Sequence, residues 1–130
     1  MINIILEANP SSPSIRLMAL MIPTIHKMVR GIDQKPMLQV LLERLASSRL
    51  LDKIYVATTI EKRDDEIVAL CEFLGCAVYR GSESDTLSRF NDILNLEDAK
   101  TIVRLTGDNP LVNGELVDMA IKAFSDLGVD

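Results

Sequence analysis

The residues most able to do chemistry lie at the end of one apolar run. Residues 101–111 read Thr-Ile-Val-Arg-Leu-Thr-Gly-Asp-Asn-Pro-Leu. The β-branched start predicts a buried strand. Gly107 breaks it, Asp108 supplies a carboxylate, and Asn109-Pro110 turns the chain. In an open α/β sheet, ligands bind beyond the carboxyl ends of the strands. A carboxylate there, beside a glycine that lets a ligand approach the backbone, suits an Mg²⁺-nucleotide. Taken alone, Asp108 equally fits an Asx-type turn before Pro110.

Other candidate groups carry less. His26 is the only histidine and has no Cys or Ser partner at a recognisable spacing, so it receives no catalytic role. Cys71 and Cys76 fall within apolar sequence. Buried free thiols in a reducing cytoplasm are the favoured reading, because a disulfide or metal site needs more partners. Asp85 and Arg89 stand four apart on a predicted helix, the spacing of a surface ion pair. The net charge is −5 without a dense basic run, which disfavours nucleic acid as a partner.

The elements that must position these groups follow from pattern. The chain of 130 residues is one domain's worth, and 48% hydrophobic residues suffice for a core. Aromatics are only 4%, so that core must be aliphatic, with six Met as fillers. Ile2–Leu6 reads as a first strand rather than a signal peptide, since no basic region precedes it and Glu7 follows. No run has the apolar length of a membrane span, so no membrane partner is expected. Residues 7–34 read as a long loop over the ligand edge, with Ile15–Ile22 as a short helix ended by Pro23. Pro36 opens a helix whose inward face is Met37, Leu38, Leu41, Leu42 and Leu45.

Lys53–Thr58 is the next strand. Asp64 and Asp65 open a helix with Ile67, Leu70, Cys71 and Leu74 inward, and Gly75 caps it. Cys76–Arg80 is a short strand, and Gly81–Ser84 a turn. A helix capped by Ser84 then carries Leu87, Phe90 and Leu94 inward. After the strand ending at Thr106, the last helix starts near Asn113, with Leu116, Ala120, Ala123 and Leu127 on one face. This alternation predicts a mostly parallel sheet between helical layers, a three-layer αβα sandwich.

Four stretches in register resemble the cytidylyltransferases of the spore-coat polysaccharide and acylneuraminate (CMP-sugar) type. They are Lys35-Pro36-Met37-Leu38, then Ile54-Tyr55-Val56-Ala57-Thr58-Thr59, then Val78-Tyr79-Arg80-Gly81-Ser82-Glu83 with Leu87 and Arg89, and Val103 to Leu111. The resemblance implies the nucleotide-diphospho-sugar transferase fold over a single domain, 1–130. It implies transfer of CMP from CTP to a sugar or sugar acid, with release of pyrophosphate, in cytoplasmic synthesis of cell-surface polysaccharide. It implies Asp108 as the Mg²⁺ ligand, with Gly107 beside it, and places Thr58, Arg80 and Ser82 around base and ribose.

The family's triphosphate loop, Ala-Arg-Met-Gly-Ser-(Ser/Thr)-Arg-Leu-Pro-Gly-Lys, is only partly matched. Ala8 agrees, Arg16 is a candidate phosphate contact, and Lys27 stands where the family lysine precedes its Lys-Pro pair. The glycines are absent, which predicts a weakened triphosphate site. The family's domain also continues beyond the position of Asp130, so a homodimer mate or partner chain is expected to complete the site. The alternative is a divergent nucleotide-binding or structural module without turnover.

Overall fold

The computed structural model describes residues 17–21, 35–98, 102–106 and 111–127. Four strands and four helices alternate within them. They are β1 (Leu17–Met21), α1 (Met37–Leu45), β2 (Lys53–Thr59), α2 (Asp65–Leu74), β3 (Ala77–Gly81), α3 (Thr86–Glu97), β4 (Ile102–Thr106) and α4 (Gly114–Leu127). A short 3-10 turn, Lys62–Asp64, leads into α2. The sheet order is β3-β2-β1-β4 and every pairing is parallel. The expected α/β architecture with a parallel sheet is therefore present.

Strand β1 corrects the sequence reading. Residues 15–22 were expected to hold a short helix, yet Leu17–Met21 is a central strand. Its residues pair with Lys53 to Ala57 on one side and Ile102 to Thr106 on the other. A continuous apolar run fits a strand hydrogen-bonded on both edges as well as it fits a helix, and tertiary pairing decides. The expected strand at Ile2–Leu6 and the remainder of the 7–34 segment lie outside the described residues.

The strand order also places the helices. Parallel crossovers are right-handed. The steps from β1 to β2 and from β2 to β3 run one way across the sheet, so α1 and α2 share a face. The step from β3 back to β4 runs the other way and puts α3 on the opposite face. On that side, Glu97 of α3 accepts hydrogen bonds from Lys53 at 2.5 Å and from the Tyr55 hydroxyl. Helix α4 packs beside α1, and Asp118 binds the end of α1's loop: Ser48 Oγ donates at 2.5 Å, Arg49 N at 2.9 Å and Leu50 N at 3.2 Å.

Leu38, Leu41 and Leu45 of α1 are buried with Val56, Ala57, Ile67, Cys71 and Ile93, as aliphatic composition demands. Gly75 ends α2 with φ 69°, the left-handed cap expected of it. Two helical faces differ from expectation. Leu87 of α3 is exposed while Phe90 is buried, and the cap is Asp85, whose Oδ1 accepts from Ser88 N at 3.0 Å, rather than Ser84. In α4 the buried positions are Gly114, Val117 and Ile121, capped by Asn113 Oδ1 accepting from Leu116 N. The stripe of Leu116, Ala120, Ala123 and Leu127 is exposed. Both faces of α4 are apolar, and the crossing with α1 selects one: a Cβ at Gly114 would lie 2.6 Å from the Ser47 carbonyl carbon, closer than real contacts allow.

Candidate functional site at the carboxyl edge of the sheet

In a sheet of this order, the chain leaves β1 toward β2 and β3 on one edge and returns past it to β4 on the other, which makes β1 and β4 neighbours at the reversal. Their carboxyl ends flank the crevice where ligands bind in doubly wound folds. Met21 ends β1 directly opposite Thr106 at the end of β4. Asp108 follows two residues after Thr106 in sequence. Asp108, Gly107, Lys27, Arg16 and Ala8 themselves lie outside the described residues.

The other half of the edge is described in full. Thr58 and Thr59 end β2, in register with Arg80 and Gly81 at the end of β3. In the sequence, Asp64 reads as a charge at a helix N-terminus. Its carboxylate instead turns back onto β2, where Oδ2 accepts from Thr58 Oγ1 at 2.8 Å, Thr59 N at 3.0 Å and the Thr59 hydroxyl. Both threonines and Asp64 are buried. A buried carboxylate tolerates this position because its lone pairs are met by protein donors. Thr58 therefore shapes the edge through Asp64 rather than by presenting its hydroxyl.

Arg80 is a staple. Its Nε donates to Thr59 O at 2.9 Å, its Nη2 to Glu61 O at 3.0 Å, and its Nη1 pairs with Asp65 Oδ1 at 2.8 Å. Every nitrogen of the guanidinium is engaged, which fixes the connection after β2 against the end of β3. Ser82 is exposed on the turn that follows. Its Oγ lies 3.2 Å from Ser84 Oγ and accepts from Asp85 N at 3.2 Å. Of Thr58, Arg80 and Ser82, Thr58 is buried, Arg80 is half-buried with its donors committed, and Ser82 is exposed. An exposed pair, Arg63 with Glu83, bridges the two connections above it.

Arg89 departs furthest from expectation. It does not sit in a surface ion pair with Asp85, whose carboxylate caps α3 instead. Arg89 is only 3% exposed, with Nη2 donating to Thr86 Oγ1 at 3.1 Å. Its stem lies under Gly81, where an added Cβ would stand 2.5 Å from Arg89 Cγ. Burial pulls its pKa down, against the raising influence of the Asp64 and Asp85 carboxylates. Next along α3, the ring of Phe90 carries the Arg104 guanidinium 5.4 Å from its centroid.

The cysteines stand apart from this chemistry. Both are free, and burial pushes Cys71 up to about 12 and Cys76 up to about 11, so neither is a thiolate at neutral pH. Among the described residues, no helix is long and apolar enough to cross a membrane.

Comparison with known proteins agrees with this architecture. The spore coat polysaccharide biosynthesis protein SpsF of Bacillus subtilis is 36% identical over 108 residues, which are 80% of this chain and 45% of that protein. The 3-deoxy-manno-octulosonate cytidylyltransferase of Pelobacter propionicus is 35% identical over 98 residues, 73% of this chain and 36% of the enzyme. A solved cytidylyltransferase from Leptospira borgpetersenii superposes with a TM-score of 0.73 at 30% identity, covering 82% of this chain and 45% of that one. The chain thus spans less than half the length of these relatives. The family model described as cytidylyltransferase matches residues 24–130, most of the chain. On sequence and on fold, the chain belongs to the cytidylyltransferase family.

Proposed function

We propose that the chain binds CTP across the carboxyl edge of the sheet and serves the transfer of CMP to a sugar or sugar acid, releasing pyrophosphate, in synthesis of cell-surface polysaccharide. The observation that carries this reading is the strand order β3-β2-β1-β4. It sets the end of β4, two residues before Asp108, beside the end of β1, and leaves the polar β2–β3 corner on the far side of β1.

Triphosphate and nucleoside then have separate places. The triphosphate lies at the β1/β4 crevice, where Lys27, in the sequence that follows β1, brings positive charge and Gly107 a small residue; Arg16 and Ala8, expected at this edge, precede Leu17 at the amino end of β1 in sequence and are set aside. The nucleoside extends toward Thr58, Arg80 and Ser82. Among the described residues, no group of three or more His, Cys, Asp and Glu is gathered to hold a metal. One carboxylate shared with substrate phosphates is an ordinary Mg²⁺ ligand set, so Asp108 is the residue to hold it. Bound there, Mg²⁺ would neutralise phosphate oxygens around the reacting centre. The chain's own work is positional. Lys27 binds phosphate oxygens, and the Arg80 staple keeps the nucleoside corner rigid, so that a sugar hydroxyl meets the α-phosphorus in line with departing pyrophosphate.

A test is pyrophosphate release from CTP with 3-deoxy sugar acids as acceptors, on the wild type and on Asp108→Ala. Turnover reduced by about a hundredfold or more in the variant is expected for loss of a charge-stabilising group. Turnover equal in both would remove Asp108 from the site. CTP binding with no turnover would favour the second reading, a nucleotide-binding module without catalysis. That reading draws on the missing glycines near Ala8.

A further inference from the structure

A buried guanidinium ought to have all its donors met, yet Arg89 does not. Nε is enclosed and has no hydrogen-bond partner, the one such side-chain atom among the described residues. An unmet buried donor is costly by about 1–3 kcal/mol, and more on a charged group. Native proteins keep few of them, and each calls for an explanation. Nη2 is already committed to Thr86. The orphan belongs to a side chain held 3% exposed under Gly81, at the carboxyl end of β3.

What surrounds it suggests when the donor is used. The turn above is held by the Ser82–Ser84 and Asp85–Ser82 hydrogen bonds and the Arg63–Glu83 pair, all exposed. Exposed contacts of this kind contribute little, so the turn yields easily to a ligand. Strands in a sheet are spaced about 4.8 Å apart. The end of β3 is three spacings from the end of β4, roughly 14 Å. A nucleotide whose phosphates lie at the β1/β4 crevice therefore brings its base and ribose, not its phosphates, to Arg89. Base and ribose oxygens are acceptors, as Nε–H requires.

We propose that Arg89 is a nucleoside-binding residue, its Nε–H held unpartnered until an acceptor oxygen of the base or ribose reaches it under the Gly81 turn. This rests on the reading of the edge as a CTP site. Gly81 is part of the device, because any larger residue would displace the Arg89 stem.

The test uses Arg89→Lys, which keeps the charge but lacks Nε, and Arg89→Met, which fills the space without polarity. Affinities for CTP, cytidine and inorganic tripolyphosphate are measured by NMR titration, together with stability in urea. Both variants should bind CTP and cytidine at least about tenfold more weakly, as expected for one charge-assisted hydrogen bond. Tripolyphosphate affinity should be unchanged. Arg89→Met should be no less stable than the wild type, because a buried charge serving only the ligand is replaced by apolar packing. Unchanged cytidine affinity in both variants would overturn the proposal. So would weakened binding of tripolyphosphate alone, or an unfolded Arg89→Met beside an Arg89→Lys that binds normally, which would make the guanidinium a structural prop. A wild type that binds neither CTP nor cytidine defeats the underlying site reading and this proposal with it. A wild type that binds both, with unaffected variants, defeats this proposal alone.

Discussion

At the scale of single residues, two buried charges mark this edge, Asp64 holding it together and Arg89 keeping an unmet donor, and neither is legible as such in the sequence. Asp64 gathers two hydroxyls and a backbone N–H from the end of β2. Asp64→Ala would strand the Thr59 N–H in a buried place, and urea denaturation should show a loss of about 2–3 kcal/mol. In sequence, Asp64 beside Asp65 looks like dipole complementation at a helix start, and only folding turns one of the pair inward. Arg89 was hidden in the same way. Its spacing from Asp85 is that of a surface pair, and burial depends on Gly81 arriving above it from another element. A glycine ending a strand just before a helix that carries an arginine was the available signal, and it is a faint one.

Titration at this scale has a definite sign. Glu97 is held below the usual carboxylate range by hydrogen bonds from Lys53 and then Tyr55. At Asp118, burial raises the pKa but is outweighed by the Ser48 hydroxyl and the Arg49 and Leu50 N–H groups, so the net shift is downward. A carboxylate with a lowered folded-state pKa contributes stability above its unfolded value and loses it as pH falls through the folded value. These two carboxylates should therefore leave stability level between about pH 5 and 8 and make it decline below about pH 4. Asp118→Asn should lower stability at pH 7 and flatten that decline, both read from urea curves against pH. An unchanged acid slope would mean that Asp118 is not a contributor.

Among the elements, legibility followed the match between pattern and packing. Helix α1 was read correctly because Leu38, Leu41 and Leu45 are apolar on one face only. The inward face of helix α4 is not legible, because Leu116, Val117, Met119, Ala120, Ile121, Ala123 and Phe124 are apolar around most of its circumference. Periodicity cannot choose a face there, and the close approach to the α1 loop does. Strand β1 is built from Leu, Met and Ala, which favour helices in isolation, but its place between two strands overrides that preference. The close approach at α4 gives a sharp prediction. Gly114→Ala ordinarily gains about 1 kcal/mol in a helix. Here the new Cβ meets backbone at Ser47 and Ser48, which cannot move cheaply. The variant should instead lose about 1–3 kcal/mol, the range of overpacked sites. A Gly114→Ala protein as stable as the wild type would show that the contact is looser than described.

At the scale of the whole molecule, alternation of strands and helices was enough to foresee a parallel α/β sheet, because short right-handed crossovers leave few alternatives. The family followed from four short stretches in register and was found again in the match over residues 24–130. Strand order was not legible, since nothing in the segment 7–34 announces that Leu17–Met21 occupies the centre. That order makes the account specific: phosphates at β1/β4, nucleoside toward β2/β3. The most direct measurement is a thermal-shift titration of the chain with CTP, UTP, ATP and GTP, each with and without Mg²⁺. A ligand at about a hundred times its Kd adds roughly 2.7 kcal/mol to the folded state, a rise of several degrees in a domain this size. The account predicts a rise that is largest for CTP and depends on Mg²⁺ and on Asp108. Equal shifts for all four nucleotides, or none with any of them, would contradict it.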